Sequence, residues 1–340
     1  MNENAGLGML LVLMGGLVHG SWALPMKRIK NWQWENYWLV YSVFGLIVLP
    51  TALAVASVPR LLEVYQRVSW GTLLAVALCG LGWGIGSTLF GLGIRRLGMA
   101  LGFAIILGIT SSVGSLLPLV TQNPGELFSR RGYILMSGLL VVIVGIWFCS
   151  VAGGMREREQ RGADAGAAGR NIVLGLVICV ASGLLSPMLN VGFVYGQKIE
   201  QEAVSMGGHP VFAANATWAL ALLAGFLANA GYCLYLLQKN RTWGLFTGAQ
   251  VPAGYWLGGA LMGLLWFGGI TTYGMGAANL GKQLGPVLGW PVFMAMVIVT
   301  ANVWGFITGE WKGASRKARS YSVAGIAILV AAIVVISQGH

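Results

Sequence analysis

The feature that most constrains this chain is a series of ten apolar stretches, each about the length that a helix needs to cross a bilayer. Only 9% of the residues are charged, against about 25% in soluble domains. An alternating β-barrel pattern is absent from the sequence. The sequence therefore predicts an all-α polytopic membrane protein with ten transmembrane helices. The ten predicted spans are residues 5–26, 36–58, 71–93, 98–120, 133–154, 172–195, 211–237, 254–276, 286–308 and 321–338.

The basic residues are distributed unequally between the two sets of connections. Alternate connections, which define what we call the basic side, hold 15 of the 21 Lys and Arg residues. Because basic loops stay in the cytoplasm, we predict a cytoplasmic basic side and periplasmic termini in an inner membrane. The net charge of +11 is therefore explained by loops that orient the chain in a lipid bilayer, and a nucleic-acid partner is not expected. The basic-side connections are 27–35, 94–97, 155–171, 238–253 and 309–320.

An internal repeat divides the chain into two halves. Residues 78–102 and 261–285 align without gaps and are identical at 12 of 25 positions, including Trp83 and Trp266. The match joins spans 3 and 4 to spans 8 and 9, so the repeat unit is five spans. An odd number of spans inserts the second copy upside down. The predicted division is a first five-helix repeat at 1–154, a cytoplasmic linker at 155–171 and a second, inverted five-helix repeat at 172–340.

A five-plus-five inverted repeat is typical of secondary transporters, in which a site near the bilayer midplane opens alternately to each side. An enzyme is not expected, because no paired carboxylates, zinc motif or phosphate loop occur within the spans. The four cysteines lie in apolar runs without metal-ligand spacing, which favours small buried side chains. We predict no catalytic residue, no metal and no cofactor.

Four local motifs follow one another along the chain: "PMKRIKNWQWE" (25–35), "WGIG" (83–86), "RRLGMALG" with "GIT" (95–110) and "GEWKGASRK" (309–317). In this order they resemble the L-rhamnose:proton symporter family of the drug/metabolite transporter superfamily. The resemblance implies ten helices and proton-coupled import of a 6-deoxyhexose such as L-rhamnose or L-fucose. The sequence itself leaves sodium as the alternative coupling ion. A drug or metabolite exporter of the same superfamily is the alternative function. It would usually need a carboxylate inside a span, and the sequence has none.

His19 is the only His, Asp, Glu, Lys or Arg that lies well inside a predicted span. An ionisable side chain at membrane depth is energetically expensive and therefore a functional candidate. An imidazole also titrates near physiological pH. We predict that His19 is the proton-coupling residue and that it contacts the sugar. The alternative is a neutral histidine that is hydrogen-bonded to a neighbouring backbone or hydroxyl group.

A sugar site needs polar side chains for the hydroxyls and an aromatic face for the C–H side of the ring. Trp22 lies three residues after His19 and shares its helix face. Pro187 lies mid-span, where it leaves a carbonyl unpaired. The predicted substrate-binding residues are His19, Trp22, Trp83, Ser87, Ser186, Asn190, Asn215, Trp218, Trp266, Thr271, Thr272, Tyr273 and Trp290. Tryptophans near span ends are assigned to the interfacial belt instead: Trp32, Trp34, Trp38, Trp70, Trp243 and Trp311.

Overall fold

The computed structural model describes residues 4–97, 99–122, 124–161, 172–247, 251–281 and 285–339. Within these residues the chain is helical, without β-strands. Ten of its helical segments are long and apolar enough to cross a membrane, and they match the ten predicted spans in order. The chain is therefore a multi-pass helical membrane protein.

The helices are assigned to the spans in chain order. Span 1 comprises Ala5–Gly20 and a 3-10 helix at Pro25–Arg28, and span 2 comprises Trp34–Ser42, a π-helix at Val43–Val48 and Leu49–Ser57. Spans 3 to 5 are Trp70–Leu97, Met99–Gln122 and Arg130–Arg161. Span 6 comprises Ile172–Leu185, Met188–Tyr195 and Gln197–Ser205. Spans 7 to 10 are Ala214–Asn240, Ala253–Leu280, Gly285–Ile307 and Arg316–Ser337. A short helix, Leu61–Arg67, lies between spans 2 and 3.

Two spans contain a break in their α-helix. The α-helix of span 1 ends at Gly20, six residues before the predicted boundary at 26, and continues as turns into Pro25–Arg28. Span 6 breaks at Ser186 and Pro187, where the proline has no N–H to continue the helix. The freed carbonyl of Gly183 accepts instead from the Thr110 hydroxyl of span 4, at 3.4 Å. Broken helices of this kind mark binding sites in transporters.

The predicted linker at 155–171 begins later than expected. Span 5 continues as a helix to Arg161, because side chains of its last turns bind the connection between spans 9 and 10. The amide of Gln160 donates to the carbonyl of Glu310 at 2.7 Å, and Glu159 accepts from the backbone N–H of Ser315 at 2.7 Å. Residues 162–171, the rest of the predicted linker, lie outside the described residues.

The most extensive contacts between spans recur when each span is exchanged with the one five places along the chain. Span 1 packs on span 8, and span 6 packs on span 3 in the equivalent way. Spans 2 and 7, spans 4 and 9, and spans 5 and 10 each pack on one another. The contacts agree in detail, since a Cβ added to Gly8 would meet Leu280 while one added to Gly175 would meet Leu97. Leu97 and Leu280 are themselves equivalent in the sequence repeat.

Polar contacts join spans 2 and 7 at both ends. On the basic side, buried Glu35 accepts from Asn240 at 2.9 Å and from the Thr242 hydroxyl at 2.8 Å. At the other end, the Asn215 amide donates to the Ser57 hydroxyl at 2.8 Å. Asn215 is therefore an inter-helix contact near the membrane surface, away from the centre of the protein.

Candidate functional site

A continuous column of aromatic rings crosses the interior between the two membrane surfaces. Neighbouring rings have centroids 4.6 to 6.2 Å apart. Seven of the predicted site residues belong to it, and five further rings complete it. We call this set the aromatic column: Trp34, Trp38, Tyr41, Trp22, Trp266, Trp83, His19, Phe293, Tyr273, Trp290, Phe193 and Trp218.

His19 lies at the centre of the aromatic column. Its ring is 5.3 Å from that of Trp266 and 5.2 Å from that of Phe293. Nδ1 lies 3.1 Å from the carbonyl oxygen of Trp266. Because a carbonyl can only accept, Nδ1 carries the hydrogen and Nε2 is the nitrogen that can take up a proton. A Cβ at Gly269 would lie 2.5 Å from the Cβ of His19, so this glycine permits the close contact between spans 1 and 8.

Equivalent residues of the two halves meet beside His19. The rings of Trp83 and Trp266, matched in the sequence repeat, lie 5.0 Å apart. Gly86 and Gly269 are matched as well: a Cβ on Gly269 would meet His19, and one on Gly86 would lie 2.7 Å from the nitrogen of Ser186. His19 and Ser186 thus occupy corresponding positions, each at the break in its span.

Asn190 closes the interior on the side opposite the basic loops. It is fully buried, and its amide donates to the carbonyls of Gly114, at 2.9 Å, and Pro286, at 3.3 Å. Its oxygen accepts from the Tyr273 hydroxyl at 2.5 Å. Trp290 strengthens this contact by donating to the carbonyl of Thr110 at 3.2 Å. Spans 4, 6, 8 and 9 are therefore held together at this end by hydrogen bonds that water does not reach.

Asn229 is a buried amide that the sequence analysis missed. Its oxygen accepts from the indole of Trp38 at 3.0 Å and from the Ser87 hydroxyl at 3.2 Å. The single hydroxyl proton of Ser87, a predicted site residue, is shared between this oxygen and the carbonyl of Gly84, which lies 2.8 Å from the Ser87 oxygen. An Asn within the apolar run of span 7 is the signal that could have found it, since the same reasoning selected Asn190. Asn229 and Ser87 therefore hold the Trp38 ring of the aromatic column in place.

A cavity of about 440 Å³ opens at the basic side and meets the aromatic column at Trp22. Lys27, Arg156 and Glu310 lie at its mouth. Glu310 is 2.5 Å from the ammonium of Lys27 and 2.8 Å from the guanidinium of Arg156. Partial burial alone would raise the pKa of Glu310, but the two cations outweigh it and hold that pKa below its usual value. The carboxylate is therefore ionised at neutral pH.

Asn215, Thr271 and Thr272 make no side-chain hydrogen bond to the aromatic column in the described part of the chain. Asn215 binds Ser57 near the membrane surface. The Thr272 hydroxyl donates at 2.7 Å to the carbonyl of Gly268 in its own helix. The Thr271 hydroxyl is buried and has no partner among the described residues.

Four of the six tryptophans assigned to the belt belong elsewhere. Trp32 and Trp311 are 5% and 4% exposed, so they are core residues and not interfacial anchors. Trp32 packs on Tyr255 and Trp256, and Trp311 stacks on Phe306. Trp34 and Trp38 are half-buried and stack on one another in the aromatic column. The prediction relied on distance from the span ends, which does not register contacts made by folded connections.

Comparison with known proteins identifies the family. A sequence model of the family described as L-rhamnose-proton symport protein matches residues 1–339. The chain belongs to this family. The family is one of transporters and not of enzymes.

Curated members of the L-rhamnose-proton symport family resemble the chain over its whole length. An L-rhamnose-proton symporter of Klebsiella pneumoniae subsp. pneumoniae is 28% identical over 351 residues. Symporters of the same name from Escherichia coli O157:H7 and Shigella boydii serotype 18 are each 27% identical over 345 residues. In all three, the alignment covers 100% of this chain and 99% of the relative.

Two of the motifs that resemble this family meet in the structure. Lys27, from "PMKRIKNWQWE", binds Glu310, from "GEWKGASRK", across the mouth of the cavity. Lys27 also donates to the hydroxyl of Thr308. In this family member, the first span and the connection between spans 9 and 10 are therefore joined on the basic side.

Proposed function

We propose that the chain is a proton-coupled symporter that imports a 6-deoxyhexose, L-rhamnose in the first place and L-fucose as the alternative, by alternating access. The observation that carries the proposal is His19, a titratable side chain held among aromatic rings inside a membrane protein. Membership of the L-rhamnose-proton symport family and relatives named as L-rhamnose-proton symporters support it. We place the protein in an inner membrane with its basic side cytoplasmic and its termini periplasmic.

Alternating access rests on the proposed division into two inverted repeats. The packing of spans 1 on 8 and 6 on 3 supports this division, as does the contact of Trp83 with Trp266. Residues that are equivalent under a two-fold rotation can touch only near the axis, which places these rings beside it. A site on this axis can be exposed to either side as the halves rearrange. The cavity at the basic side and the closed Asn190 contacts opposite support an inward-open arrangement.

His19 provides a physical link between proton and sugar. With Nδ1–H bound to the Trp266 carbonyl, the lone pair of Nε2 accepts the proton. The resulting imidazolium has a new N–H donor that can bind a sugar hydroxyl. A cation is unfavourable in this apolar interior, so the hydroxyl oxygen stabilises the protonated form and protonation strengthens sugar binding. The faces of Trp22, Trp83 and Trp266 are suited to the C–H side of the sugar ring.

Uptake into proteoliposomes tests the function. With an imposed membrane potential and acid outside, purified protein is expected to accumulate L-rhamnose, and a protonophore is expected to abolish accumulation. Parallel assays test the alternatives. A sodium gradient tests the coupling ion, L-fucose tests the other sugar, and a hydrophobic amine tests the exporter function. Accumulation that requires sodium, or counterflow of the amine but not of either sugar, would overturn the proposal.

Loss of the Tyr273 hydroxyl is expected to open the side opposite the basic loops more often. Tyr273→Phe retains the ring but removes the 2.5 Å hydrogen bond to Asn190. The buried amide oxygen of Asn190 then loses this donor, which destabilises the closed contact. We expect faster labelling of Val287→Cys by an impermeant maleimide added from that side. Tyr65→Phe is the matched control, because it removes a hydroxyl bound to the carbonyl of Ala216 outside this contact. Equal labelling in both backgrounds would argue against a closing role.

A further inference from the structure

We propose that the cavity at the basic side is a second monosaccharide subsite, with Asn302 as a sugar-binding residue. This inference rests on the proposed function and adds a release-side site beyond the aromatic column. Asn302 lies on span 9 and lines the cavity, as do Trp22 and Trp304. Trp22 also contacts Trp38 and Tyr41, so the same residue forms a wall of both sites.

The cavity has the size and lining of a small-ligand site. Its volume of about 440 Å³ lies within the range of about 300–1,000 Å³ found for ligand pockets. Trp22 and Trp304 are both partly exposed. The Trp304 indole donates to the Ser21 hydroxyl at 2.8 Å, which in turn donates to the Leu17 carbonyl. These two bonds orient the Trp304 ring before any ligand arrives, as an aromatic platform for a sugar requires.

Asn302 retains hydrogen-bonding capacity for a hydroxyl group. Its amide nitrogen donates at 2.9 Å to the carbonyl of Ile298 in its own helix, which uses one of two N–H groups. Its oxygen accepts from the Ser322 hydroxyl at 3.4 Å, which uses one of two lone pairs. One donor and one acceptor are left in this amide. A sugar hydroxyl, which both donates and accepts, matches that pair.

The charges at the mouth favour a neutral ligand. Glu310 already binds both Lys27 and Arg156, so its carboxylate is engaged and offers little to a cationic amine. Arg156 also lies over the Trp311 ring, 5.1 Å from its centroid. The groups deeper in the cavity, Asn302 and Ser150, are neutral. A polyhydroxylated neutral molecule fits this combination better than an amine.

Equilibrium binding to the purified full-length protein tests the role of Asn302. We expect Asn302→Ala to raise the Kd for L-rhamnose about tenfold, the effect of losing one well-placed hydrogen bond. Asn279→Ala is the matched control: Asn279 makes the same bond to the carbonyl four residues earlier, at 2.8 Å, and does not line the cavity. An unchanged Kd in Asn302→Ala, or an equal rise in both variants, would overturn the subsite.

Protection of an introduced cysteine tests the location independently. Ala301 is exposed and lines the cavity, so L-rhamnose is expected to slow alkylation of Ala301→Cys but not of Val303→Cys, which lies outside it. If the unmodified chain binds and accumulates L-rhamnose but Ala301→Cys is not protected, the subsite is wrong and the proposed function stands. If the unmodified chain binds no 6-deoxyhexose, the proposed function fails and the subsite fails with it. Protection by a sugar acid but not by L-rhamnose would also overturn the inference.

Discussion

Replacing His19 by Gln is expected to abolish concentrative sugar uptake while leaving sugar exchange intact. Coupling to one proton at a potential of 100 mV supplies about 2.3 kcal/mol, which corresponds to an accumulation ratio of about fifty. Glutamine can still donate to the Trp266 carbonyl but cannot take up a proton. The accumulation ratio in proteoliposomes should therefore fall to about one. Counterflow, which needs binding and rearrangement but no net proton movement, should persist.

The control for this substitution is the histidine at position 209. His209 is exposed in the connection before span 7, where its Nδ1 accepts from the backbone N–H of Val211 at 3.3 Å. His209→Gln removes the same titratable group from outside the spans and should leave accumulation unchanged. A His19→Gln protein that still accumulates L-rhamnose to the full ratio would exclude His19 as the coupling residue. Loss of counterflow together with accumulation would instead show that sugar binding itself requires the imidazole of His19.

The sequence predicts the helices well and their interruptions poorly. Hydropathy finds the ten spans because each is a continuous apolar run. It does not find the end of the first helix at Gly20, because the residues on both sides of the break are equally apolar. The π-helix at Val43–Val48 has no compositional signal either. Such details depend on backbone contacts with neighbouring spans, which a pattern along one chain does not contain.

Site residues can be predicted from the sequence where a polar residue interrupts an apolar span. His19 and Asn190 stand out because polar groups inside apolar runs are costly, and both are engaged within the interior. Thr271 was selected for the same reason, but its buried hydroxyl has no hydrogen-bond partner among the described residues. Asn302 lies within a predicted span and lines the cavity, yet was not selected. Polarity identifies candidates, and helix rotation decides which of them meet.

Replacing Gly80 by Ala is expected to destabilise the whole bundle. Gly80 lies where spans 3 and 7 touch, and a Cβ there would overlap the backbone carbonyl of Ala221. Overpacking costs about 1–3 kcal/mol, and the upper end of about 3 kcal/mol applies here because backbone atoms cannot rotate away as side chains can. The gain in helix propensity from Gly to Ala is about 1 kcal/mol, so we expect a net loss of about 2 kcal/mol. Thermal unfolding in detergent measures it.

Gly91 in the same helix is the matched control, because a Cβ there meets nothing within 4 Å. Gly91→Ala should keep or slightly raise the unfolding temperature, and an equal fall in both variants would exclude the close contact as the cause. The damage in Gly80→Ala should extend to the site. Trp83 packs against Gly225 of span 7, and Ser87 binds Asn229 of the same span. Separating spans 3 and 7 therefore displaces Trp83 from Trp266, so sugar affinity should fall together with stability.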